Sequence, residues 1–154
     1  MKEIILMIHP TFGVLGAIAA VWVFIEVLNI SQANLFRARW ASLATAVFMV
    51  ITWISSGYWY VLYYAADKAV ILKGPWAFAH NLVMETKEHL FFVTLILAIY
   101  LPIAMWSEDL FTNKSARMVI LWTSALIFLT AMALEGMGAT ISLGVKMGLL
   151  QAGL

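Results

Sequence analysis

The sequence has no cysteine, three prolines, three histidines and few charges: 11% of its residues are Asp, Glu, Lys or Arg. Without thiols there is no disulfide, no iron–sulfur cluster, no thiolate metal site and no covalently attached c-type haem. The scarcity of charge excludes an ordinary soluble fold, in which about a quarter of residues are charged. The formal net charge is +1 and no basic run occurs, so nucleic acid is not an expected partner.

Apolar residues make up 64% of the 154, and mean hydropathy is +0.96. A water-soluble fold of this length has no interior large enough for so much apolar surface, so the expected solvent is lipid. Open strands leave backbone groups unpaired in lipid, and the long unbroken apolar runs favour helices over a barrel. The expected class is therefore all-α: one integral membrane four-helix bundle. The start, Met1-Lys2-Glu3, leads straight into apolar sequence and reads as a retained first helix rather than a signal peptide.

The apolar runs predict helices over roughly 5–29, 40–65, 81–106 and 116–138, with a C-terminal tail over 139–154. Asn29 to Arg39 and Ser107 to Ser115 are polar and read as loops. Gly74-Pro75 breaks any helix in the loop between the second and third spans. Tyr58, Trp59, Tyr60, Tyr63 and Tyr64 suit the headgroup level, as do Trp76 and Phe78. Alternation of the spans then defines two faces. The N-terminus, the 66–80 loop and the C-terminus lie on side A; the 30–39 and 107–115 loops lie on side B. Arg37 and Arg39 in a short loop favour side B as cytoplasmic and side A as the outer face of a prokaryotic inner (plasma) membrane.

All three histidines, His9, His80 and His89, map to side A, together with Glu3, Glu85, Glu88 and Glu135. An ionisable group within a membrane costs several kcal/mol and is a functional candidate by default. His9 is expected about 6 Å inside the first helix and His89 roughly 10–12 Å inside the third, which matches their depths if those helices face each other. Two histidines from facing helices are the usual axial ligands of a b-type haem. His9, Gly13, Gly16 and Ala20 form one stripe of the first helix, small enough below the histidine to receive a flat macrocycle or, equally, a neighbouring helix.

Glu85 and His89 are four residues apart, so the Glu85 carboxylate is placed to accept the ring hydrogen of His89. Alternatively Glu85, His89, His9 and Glu135 form a direct ligand set for non-haem iron, manganese or copper. Lys87 and Glu88 read as solvated at the mouth of the third helix. His80 is out of phase with His89 and belongs near Trp76, where it meets a haem propionate, binds a second metal or has no chemical part. Lys2, Lys68 and Lys73 match propionates by charge. Glu26, near side B, either snorkels to the interface or pairs with Arg37 or Arg39, and is assigned no function.

His9-Pro10 opening the first helix, a histidine early in the third and four spans in all resemble the small membrane b-type cytochromes, the copper-resistance D-type proteins and related haem proteins among them. The resemblance covers the architecture of the whole chain and implies one haem b on His9 and His89. Three histidines exclude a second bis-histidine haem. The expected function is electron transfer between a quinol pool and a partner on side A, or service as the haem subunit of a respiratory complex with other protein subunits. The alternatives are a non-haem metal or quinone-binding membrane oxidoreductase, and a cofactor-free structural subunit or small transporter.

Overall fold

The computed structural model describes residues 2–153, with side chains from Ile4 onward; the side chains of Lys2 and Glu3 lie outside what is described. Four helices carry the chain: α1 (Lys2–Leu28), α2 (Gln32–Lys73), α3 (Glu85–Ser107) and α4 (Lys114–Gln151). A π-helical segment, Ala79–Met84, leads into α3. No strand occurs among the described residues. Each of the four helices is long and apolar enough to cross a membrane.

Two helices are longer than the apolar runs predict, because the ends are set by local hydrogen bonds rather than by hydropathy. The polar 30–39 stretch is mostly the first turns of α2, since Ser31 caps that helix by accepting the Asn34 backbone N–H at 3.1 Å. At the other end α2 runs on to Lys73 and stops where Gly74-Pro75 was expected to break it. The tail that the sequence leaves free to extend the fourth helix, bend or lie on the surface does the first: α4 continues through its glycines to Gln151. Those glycines are contact points. A Cβ on Gly148 would meet the Val70 carbonyl oxygen at 2.7 Å, and one on Gly144 would meet the Ala79 Cβ at 2.9 Å. Asn113 caps α4 by accepting the Ala116 N–H at 3.0 Å.

α2 has 42 residues and α4 has 38, which is about 63 and 57 Å of helix against a hydrocarbon layer of about 30 Å. Both therefore project past α1 on side A, where they and the π-helical segment enclose a small second core of Tyr64, Ile71, Ala79 and Ile141. The main core lies nearer side B and is built largely of small residues, among them Ala17, Ala20, Ala38 and Ala98. Small side chains let helices approach closely where lipid gives no hydrophobic drive to association. α2 and α4 touch across the bundle and each packs against both α1 and α3, whereas among the described residues the backbones of α1 and α3 stay apart on the open diagonal.

Candidate functional site

Position on α3 separates the candidate residues into two groups. Lys87 and His89 are two residues apart, about 200° around a helix, so they take opposite faces. Lys87 turns inward. Its ammonium stands 3.1 Å from where a Cβ on Gly138 of α4 would be. From there its charge acts on Glu135 of α4 and on His9 of α1. The Glu135 carboxylate lies in a second notch: a Cβ on Gly13 would meet its Oε1 at 3.0 Å and the Thr52 methyl at 3.7 Å. Glycine at 13 and 138 thus makes room for the ends of two charged side chains from facing helices.

Lys87 and Glu135 attract each other without closing a contact ion pair; among the described residues that geometry belongs to Arg37 and Glu26. His9 joins them from α1, half-buried like both. Its Nδ1 is buried with no hydrogen-bond partner; the Ile5 carbonyl lies on that side of the helix but the bond is not completed. One imidazole, one ammonium and one carboxylate therefore converge from three helices, with unused hydrogen-bonding capacity.

His89 is exposed on the other face of α3, and Glu85 with it. The His89 Nδ1 lies 2.7 Å from the backbone carbonyl oxygen of Glu85, so the expected bond to the Glu85 carboxylate is replaced by one within the helix. The set of Glu85, His89, His9 and Glu135 is split, with the first two outward and the last two inward. Among the described residues no group of three or more histidine or carboxylate side chains is close enough to hold a metal ion. Gly13 and Gly16 are covered by protein: Thr52 and Glu135 sit on the first, and the Met49 thioether would be 2.9 Å from a Cβ on the second. The stripe below His9 is a helix contact, and a haem held by His9 and His89 of one chain does not fit this arrangement.

His80 is buried, next in sequence to Ala79 of the side-A core. Its Nδ1 lies 3.1 Å from the Tyr64 hydroxyl, and the two rings are 5.8 Å apart. Tyr64 stacks on Tyr60 at 5.0 Å. The Tyr60 hydroxyl faces Glu88, whose Oε1 is buried without a partner.

On side B the Arg37 guanidinium donates to both Glu26 oxygens, at 2.7 and 2.9 Å, tying α2 to α1. Arg39 donates to the Met105 carbonyl at 3.3 Å and ties α2 to α3. In the loop before α4, the Thr112 hydroxyl and the Phe111 N–H both donate to Asp109, and these bonds hold its carboxyl below the usual aspartate range.

Sequence reasoning missed Lys87, Thr52, Gly138 and the Tyr64–His80 pair. The one available signal was Lys87 itself, a lysine two residues from a candidate ligand and three before the apolar run that starts at Leu90. Neither a family model, nor a curated protein, nor a solved structure matches this chain.

Proposed function

We propose that this chain is an integral membrane subunit of a quinone-linked electron-transfer assembly, and that His9, Lys87 and Glu135 bind the polar head of the quinone. The observation that carries the reading is the convergence of these three groups without a closed ion pair. A quinone offers two carbonyl oxygens and, once reduced, two hydroxyls. Lys87 and His9 supply donors to carbonyl oxygen; Glu135 accepts from hydroxyl. The reaction moves protons as well as electrons, and all three side chains exchange protons.

Depth supports the assignment. Gly13, Thr52 and Glu135 share one level. If the side-B boundary lies near Arg37, about 22 Å below Thr52, a hydrocarbon layer of about 30 Å places that level in the side-A third. Ionisable groups at such depth face a bundle interior or a cavity and mark a pathway or a ligand site. Electrons pass to or from other subunits, and side B is cytoplasmic, as Arg37 and Arg39 suggest.

Titration of the protein in nanodiscs with a short-chain quinone, read by quenching of its tryptophans, tests the reading. Saturable binding is expected, weakened about tenfold or more by Glu135→Gln and by Lys87→Met, as for loss of a hydrogen bond to a charged group. Absence of saturable binding, or variants that bind as the unaltered protein does, overturns it.

One observation favours a second reading, a single haem b. The His89 Nδ1 is bonded to a backbone carbonyl, which leaves Nε2 free, the arrangement common to ligating histidines. His89 would hold such a haem on the outer face of α3, with a second ligand needed from a partner chain. A Soret band that shifts on dithionite reduction and is lost in His89→Ala is expected; a purified assembly without one ends this reading.

A further inference from the structure

The His9–Lys87–Glu135 set is closed towards side B. Below it lie Met49, Leu95, Ala98, Ile127 and Ala131 of the main core. The hydroxyls at that end, Thr45, Thr94 and Ser124, each donate to a carbonyl of their own helix. Protons that come and go at the set therefore use side A. In that direction the structure holds a run of proton-exchanging groups with no other evident task. Glu88 follows Lys87 on α3 and buries an oxygen without a partner. The Tyr60 hydroxyl faces it. Tyr64, one turn further along α2, stacks on Tyr60 and bonds to His80 in the π-helical segment. Asp67 and Glu85 also bear on Tyr64.

We infer that Glu88, Tyr60, Tyr64 and His80 form the proton route between the intramembrane set and the side-A surface; the inference rests on the proposed reading of that set as a proton-exchanging site. A proton released from Glu135 reaches the Glu88 carboxylate, which adjoins Lys87 on α3, through water. Each phenol then passes on its own hydroxyl proton as it receives one at the same oxygen, so both tyrosines are unchanged after every passage. The step between the two phenols runs through a water. His80 accepts at Nδ1 as it releases the Nε2 proton to side A, and return of a proton from Nδ1 to Nε2 through water restores the starting tautomer before the next passage. The π-helical turn serves this route: it widens the backbone at His80 and brings that ring onto Tyr64 of a different helix, and π-turns recur at functional sites.

The test follows the arrival of protons directly and needs no bound quinone. Protein in nanodiscs is exposed to a laser-flash proton release, and the infrared carboxyl band of Glu135 is followed in time, identified as the band missing from Glu135→Gln. Tyr64→Phe, which keeps the ring stack, is expected to slow protonation of Glu135 about tenfold or more, the scale of one positioned proton-transfer group. His80→Gln is expected to slow it likewise and serves as the second variant should Tyr64→Phe lose helicity by circular dichroism. Arrival in folded Tyr64→Phe or His80→Gln as fast as in the unaltered protein overturns the route and leaves quinone binding untouched. Failure of quinone titration alongside slowed arrival overturns the quinone and keeps the route.

Discussion

The Glu135 carboxylate occupies the notch left by Gly13, with Oε1 at 3.0 Å from the place where a Cβ would stand. Three residues on, a Cβ at Gly16 would instead meet the Met49 methyl at 2.9 Å. The contacts look alike in distance and differ in kind. The Met49 methyl belongs to a side chain fully buried in the main core, whereas the Glu135 carboxylate is half-buried and belongs to the candidate site.

Gly13→Ala is therefore expected to displace Glu135 and weaken quinone binding. Gly16→Ala is expected to leave binding unchanged, and its helix-propensity gain of up to about 1 kcal/mol is offset by the cost of moving the buried Met49. Paired titrations and thermal unfolding in detergent check both.

Gly148→Ala sets a methyl against backbone, since the Val70 carbonyl oxygen is 2.7 Å away and Gly74 of the same turn packs alongside. Backbone cannot swing, so destabilisation of about 1–3 kcal/mol is expected, the usual range for overpacking. The loss should be seen first as hydrogen exchange in the side-A lobe, with the main core still protected.

The two histidines of the expected haem pair should separate in function. His9→Ala is expected to weaken quinone binding, because its imidazole belongs to the inward set. His89→Ala is expected to leave binding intact, because its ring faces the other way and bonds within its own helix. Equal effects of the two substitutions would contradict this division.

Asp109 carries a pH dependence outside the spans. Its folded-state pKa lies below its unfolded value, because Thr112 and Phe111 donate to the charged carboxylate. Its contribution is complete above the ordinary aspartate range and disappears as the pH falls through the lowered folded value. Asp109→Asn should flatten that part of the acid-unfolding profile and leave the neutral region nearly as it was.

How far the site was legible varied by residue. His9 and Glu135 were found because an ionisable group inside an apolar run is conspicuous wherever the helix is rotated. For Glu26 the sequence left snorkelling, Arg37 and Arg39 open, because all lie at one end of adjoining helices; the structure selects Arg37. Lys87 was passed over in favour of His89, although the two are neighbours on α3. Gly13 was recognised as making room, but what fills that room comes from α4, far away in sequence.

That this chain forms four long apolar helices was determined by the sequence alone, because hydropathy and capping are local properties that accumulate along the chain. The rotation of each helix was decided only in the tertiary structure. In water an apolar stripe reports which face is inside; a helix surrounded by lipid is apolar all round, so the pattern carries no such report. α3 packs against both α2 and α4, and in the phase it takes there Lys87 turns inward against Gly138 while His89 turns out.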